Sequence, residues 1–425
     1  MELNKKGWLN EYLAFRWESL IRIPRESKMT AHPEHSLYRI LQPTGLMYGH
    51  AIHMIAHPDA TKWNERDRMK VLLAESLISS SLLYSEKIVL TPEELSAMVK
   101  KTIENIGNYY NNIFPELATS SKTLFGRQKT TVEVAERILE KRIEETATYK
   151  KNFWSYFFHN SLLFLDVYIF SQWIHTQADR LVWEFFKYER EELRFSVVKV
   201  IALAAHANSS IAPEERKLME YFVQSAGLNS DRRKEANRIF DKGVSLQEIN
   251  LPTKNSWILK KYFLEMAILT LWADKKLEEQ EQQFLLSFCQ YLDFHADDLE
   301  NSMIAMEGFV LEHWNELELL QNKQDYQQVS EDFISRLSRI TSNNQNRLLR
   351  EVQQNATLME LLRQAKNNEP DGEAKEQMRG ALLTILQKVP AISIISLPQH
   401  FLSLPVLMRI LPPDFFTQVL ASDVK

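Results

Sequence analysis

Glycine is scarce, at 10 of 425 residues, and the chain holds a single cysteine. No disulfide can form within the chain. Cys289 lies among Phe284, Leu285, Phe288 and Leu292 at helical spacing, which reads as a buried thiol rather than a nucleophile. Net charge is −5 with both signs mixed, and no polybasic block stands out. That excludes binding to nucleic acid by charge alone. The N-terminal stretch Met1 to Trp8 lacks the apolar core of a secretory signal, so the expected location is reducing and cytoplasmic. Nucleophile elbow, metalloprotease motif, dinucleotide fingerprint, kinase set and zinc-ligand spacing are all missing. The lone Gly126 in the polar stretch from Thr119 to Lys129 is not followed by a Gly-Lys-Ser/Thr arrangement, so a phosphate-binding loop is unsupported. The chain reads as a non-enzyme.

What is present is helix. Hydrophobic residues make up 44% of the chain, and long segments repeat them every three to four positions. The expected fold class is all-α, a multi-helix array with enough apolar material for a sizeable core. Four parts are expected: an N-terminal helical domain (1–190), a middle helical domain (191–314), a helical connector and linker (315–372), and an apolar tail (373–425).

The first part contains a predicted short helix from Leu46 to His57. On it His50, His53 and His57 share an arc opposite Tyr48, Ile52 and Ile55. Imidazoles so spaced can hold a transition metal. The alternative is a solvated polar face, and no carboxylate or cysteine joins the three. Pro58 also disfavours helical geometry at His57. Pro92-Glu93-Glu94 predicts a helix start. Phe153 to Ile174 is the most aromatic stretch and long enough to span a bilayer, but Asp166 near its centre favours a buried core helix. Asp166 lining a transport path would need a cationic partner that the sequence does not reveal.

The middle part repeats itself with an offset of 66 residues, Ala207 to Leu218 matching Ala273 to Phe284. In each copy an apolar helix ends at alanine, a polar turn follows, Ile211 or Leu277 plugs the turn, and an acid-rich helix begins. Each is a helix-turn-helix hairpin, and two hairpins can close one core. Gly227 and Gly243 fall where helix C-caps are expected. This pattern resembles the TerB-like (tellurite-resistance B) fold, whose turns carry Asp and Glu ligands for a divalent cation. The resemblance implies that Asp274 and Glu281 in the second copy, with Asn208 and Glu215 in the first, could hold calcium or magnesium. The other reading is that Asn208 and Asp274 turn the chain while Glu215 and Glu281 favour helix starts. Neither turn has the family's glycine.

Beyond Trp314 come glutamine-rich helices with one apolar stripe (Leu348, Leu349, Val352, Leu358, Leu361, Leu362), then a linker from Asn367 to Gly372. The tail follows. Twenty residues between Lys388 and Arg409 carry no charged side chain, about the length of a membrane helix. Pro390, Pro398 and Pro405 break that run into jointed helical pieces. With Leu404, Arg409 and Pro412 they form a pattern that resembles the membrane segment of the LETM family, known for mitochondrial cation/proton exchange and ribosome contact. The family's ribosome-binding domain does not follow, so ribosome binding is not carried over.

The order of parts is similar to that of bacterial LETM-related biofilm-associated proteins. That resemblance implies a helical adaptor or scaffold linked to envelope or biofilm physiology, with divalent-ion sensing by the middle domain. Its partners would be a membrane surface or membrane protein, and its place peripheral to, or anchored at, the inner membrane. The alternative is a membrane component supporting cation/proton exchange. The tail has two readings: it enters lipid, or it wraps a helical body and buries Ile392, Ile395, Leu404 and Leu407.

Overall fold

The computed structural model describes the whole chain except residues 24–31, 50–56, 86–90, 123–125, 148–152, 175, 177–179, 208–210, 212, 253–254, 273–278, 317–325, 368, 394–396 and 423–425. Among the described residues there are nineteen α-helices, six short 3-10 turns and no strand, so the fold is all-α. Two units divide the chain, Met1–Phe294 and His295–Lys425.

The first unit contains α1 (Trp8–Leu20), α2 (Pro33–Leu41), α3 (Glu65–Leu83), α4 (Pro92–Ile113), α5 (Thr131–Ala147), α6 (Phe153–Trp173), α7 (Arg180–Ala205), α8 (Pro213–Ser225), α9 (Ser230–Lys242), α10 (Trp257–Trp272) and α11 (Glu279–Tyr291). Two of these helices, α6 and α10, are apolar on nearly every side, and α3 is buried with them although it carries Lys70, Glu75 and four serines. All residues from Met69 to Leu83 of α3, from Phe157 to Ser171 of α6 and from Lys261 to Trp272 of α10 are buried. The aromatic stretch is thus a core helix, as its central aspartate predicts, and none of the described helices is long and apolar enough to cross a membrane.

Local signals set the helix ends. Proline opens α4, and Thr91 and Glu94 cap it reciprocally: the Glu94 N–H donates to Thr91 Oγ1 at 3.2 Å and the Thr91 N–H to Glu94 Oε2 at 3.1 Å. Gly227 and Gly243 follow α8 and α9 with φ of 61° and 77°. Of the expected helix from Leu46 to His57, residues 50–56 lie outside the described residues, and its start is one 3-10 turn, Leu46–Tyr48, closed by Gly49 at φ 73°. That turn lies against the α6 backbone. A Cβ on Gly49 would fall 2.4 Å from the Phe157 carbonyl oxygen, so only glycine fits. Asn160 of α6 donates to the Gly49 carbonyl at 2.9 Å.

The repeated hairpins correspond to α7 with α8 and α10 with α11, and α7 packs along α10. The boundary expected at residue 190 falls inside α7, which runs unbroken from Arg180 to Ala205. Cys289 is buried in α11, as its apolar neighbours predict. A buried polar group ties α10 to α2 and the following turn. Glu265, fully buried, accepts the hydroxyls of Tyr38 and Tyr48, the latter at 3.0 Å, and Gln42 reaches the Tyr48 hydroxyl at 3.4 Å. Burial first, then the Glu265 charge, holds both phenols well above their ordinary pKa.

The second unit contains α12 (Ala296–Glu312), α13 (Tyr326–Asn343), α14 (Gln345–Gln354), α15 (Ala356–Asn367), α16 (Gly372–Leu386), α17 (Pro390–Ser393), α18 (Leu404–Ile410) and α19 (Phe415–Ser422). Helix α12, expected with the middle domain, belongs here. The stripe on α14 and α15 buries Leu348, Val352, Leu358 and Leu362. Between α12 and α13 the buried Glu307 carboxylate receives Arg336 at 3.0 Å, while its other oxygen has no hydrogen-bond partner. Burial outweighs the Arg336 charge and raises the Glu307 pKa to about 7.

A carboxyl with a raised folded pKa holds a proton that the unfolded chain releases, so its contribution to stability falls as pH rises from the ordinary carboxyl range to about 7. Glu307→Gln removes that loss. The melting temperature of wild type should therefore drop relative to Glu307→Gln between pH 5 and pH 8. A difference that stays constant across those two conditions contradicts this.

Candidate functional site

Of the three histidines, His50 and His53 lie outside the described residues. His57 is not in a helix. Its ring sits between Phe15 and Trp63, with centroids 4.5 and 5.0 Å away, and its Nδ1 accepts the Asp59 N–H at 3.0 Å. Burial lowers its pKa. One ring nitrogen is thus already engaged, and the aromatic neighbours explain the residue without a metal.

Asn208 and Asp274 also lie outside the described residues. Glu215 and Glu281 occupy equivalent places, each the third residue of its helix, α8 or α11, and each fully or almost fully buried. Carboxylates there face the positive end of a helix. Among the described residues no group of three or more His, Cys, Asp or Glu side chains is placed to hold a metal ion.

The tail residues come together within the second unit. Pro390 opens α17, Pro398 precedes a 3-10 turn, Pro405 lies in the first turn of α18, and Pro412 is buried between α18 and α19. Each proline stands where a helix has no use for its N–H, which is why the run is jointed and still helical. Val389, Ile392, Phe401, Leu407, Ile410, Leu411, Phe415 and Val419 are buried. Phe401 meets Phe333 of α13 edge-on at 5.1 Å, and Thr341 donates to the Ile410 carbonyl. Arg409 pairs with Glu331 of α13, and Gln345 of α14 donates to Gln418 of α19 at 2.7 Å. Leu404 is half-buried; Pro405, Met408 and Arg409 face out. Ile395 lies outside the described residues.

The structure also supplies the cationic partner of Asp166. Arg142 of α5 donates through Nε at 2.6 Å to Asp166 Oδ2 and through Nη2 at 3.4 Å to Oδ1, with both side chains almost fully buried. The Tyr110 hydroxyl donates to Asp166 Oδ2 at 3.0 Å, and Tyr109 to the Asp166 backbone carbonyl at 3.1 Å. Arg142, Arg190 and Arg194 stand 5.7, 4.5 and 6.0 Å from the Phe114 ring, a cation–π cluster.

Burial, then Arg190 and Arg142, lower Arg194 to about 10. Burial, then Arg142 and Arg194, lower His159 to about 3. The sequence did carry a signal for Arg142: it continues the buried α5 stripe of Ala135, Ile138 and Leu139. A cation on an apolar stripe asks for a buried anion.

No family model, curated protein or solved structure matches the chain.

Removing one member of a buried pair strands the other. Arg142→Met should cost about 3–5 kcal/mol in chemical unfolding, and adding Asp166→Leu should recover part of it. A single substitution that changes stability by less than about 0.5 kcal/mol would show that the pair is not closed.

Proposed function

We propose that the chain is a non-enzymatic helical adaptor or scaffold, with a LETM-like tail that stays folded on its own helical unit and meets a membrane surface or membrane protein from one side. The observation that carries this reading is the two-faced tail. Leu407, Ile410 and Leu411 are buried within the second unit, while Pro405, Met408 and Arg409 face outward. A segment already covered in this way has little apolar surface left to drive insertion across a bilayer, but enough to rest on one.

The likeness in order of parts to bacterial LETM-related biofilm-associated proteins supports a role in envelope or biofilm physiology at the inner membrane. The matched burial of Glu215 and Glu281 supports a true repeat in the TerB-like region. On that basis the region responds to a divalent cation.

Carbonate washing of membranes from expressing cells tests the adaptor. The chain should be released into the supernatant; its retention in the sealed pellet would favour an integral component supporting cation/proton exchange. Calcium titration tests the finer claim. Wild type should melt at a higher temperature with calcium than without, and Asp274→Ala should lose that gain. Identical melting curves for the two proteins would dispose of ion sensing.

A further inference from the structure

The first unit has a cavity of about 370 Å³ between the segment Leu3 to Trp8, one face of α5, and the rim residues Arg127 and Lys129. Its size falls in the range of small-molecule sites. Six of its lining side chains are cationic and three are carboxylates, in a chain whose net charge is −5.

The three carboxylates are already engaged. Glu136, buried in α5, accepts the N–H groups of Gly7 and Leu9 at 3.0 and 2.9 Å, filling the positive end of α1. Glu133 accepts Arg127 at 2.6 Å and the Thr130 N–H at 2.9 Å. Glu140 accepts Arg137 at 2.7 Å. Glu133 and Glu136 thus have both oxygens engaged, and Glu140 has one.

Of the four lysines lining the cavity, Lys5 pairs with Glu2 at 2.8 Å, whereas Lys6 and Lys129 form no ion pair among the described residues. Lys70 is buried, donates to the Leu3 carbonyl at 2.8 Å, lies 5.4 Å from the Trp8 ring, and has its nearest carboxylate, Asp67, at 3.5 Å. Lys129 is satisfied by the Ser120 carbonyl at 2.8 Å, which neutralises no charge. Lys6 is exposed and makes no hydrogen bond among the described residues.

From these two lysines without an ion pair we infer that the cavity binds a small phosphorylated molecule, whose phosphoryl oxygens are taken by Lys6 and Lys129 over the Lys70–Trp8 floor. Recognition is by lysine side chains, not by a glycine-rich loop, so the absence of a phosphate-loop motif at Gly126 does not bear on it. A doubly charged phosphoryl group meets two point charges at once and releases the carbonyl-bound Lys129 to an ionic partner.

Isothermal titration of the full chain with inorganic pyrophosphate, in magnesium-free, low-salt buffer, tests the inference. Wild type and the remote control Lys234→Gln should bind saturably with one site. Lys6→Gln/Lys129→Gln should bind at least about tenfold more weakly while melting at the wild-type temperature without ligand. Should the double variant melt early, Lys6→Gln alone, at an exposed position, must still weaken binding severalfold. The inference is overturned if wild type gives no saturable heat up to about 10 mM pyrophosphate, or if the variants bind as wild type does.

Discussion

A helix that is apolar on every side must be surrounded, and any ionised group it carries must be answered inside the protein. That constraint organises the first unit. Helices α3, α6 and α10 are buried along most of their length, and the charged groups on α6 and α10 determine which neighbours stand beside them. Asp166 draws Arg142 from α5 and Tyr110 from α4 onto α6. Glu265 draws Tyr38 and Tyr48 onto α10. Such contacts add little net stability compared with apolar packing, but they allow few alternative arrangements, because each misplaced partner leaves a charge stranded.

The same constraint in a different form governs the second unit. There the material to be covered is the C-terminal apolar run, and its prolines make covering possible. By restarting the helix at Pro390 and again at Pro405, the chain changes direction often enough for Ile392, Leu407, Ile410 and Phe415 all to reach an interior. A straight helix of that length could have buried only one side. Glu307 of this unit is buried with one oxygen on Arg336 and the other unpaired, and burial raises its pKa.

Much of this was legible in the sequence because the signals are local. Pro92 with Glu93 and Glu94, glycine at 227 and 243, and the proline joints of the tail all act within a turn or two of where they stand. Asp166 could be read as buried from its own segment. The pairing could not, since Arg142, though on an apolar stripe, lies on another helix and meets Asp166 only once α5 and α6 pack. The start of the helix predicted from Leu46 to His57 differs for a similar reason. Apolar spacing favoured a helix, but the close approach to the Phe157 carbonyl requires a left-handed glycine there. Of the residues expected to act as ligands in the repeated turns, Glu215 and Glu281 are buried at matching helix positions, whereas Asn208 and Asp274 fall outside the described residues.

A tail covered by its own unit and a core helix covered by its neighbours are two outcomes of one requirement. Hydrogen–deuterium exchange of the full chain in lipid-free buffer tests it most directly. Amides of 407–411 and 416–421 should exchange as slowly as those of α13, on which the tail rests. Exchange of the tail at the rate of an unfolded peptide, with α13 still protected, would contradict the account.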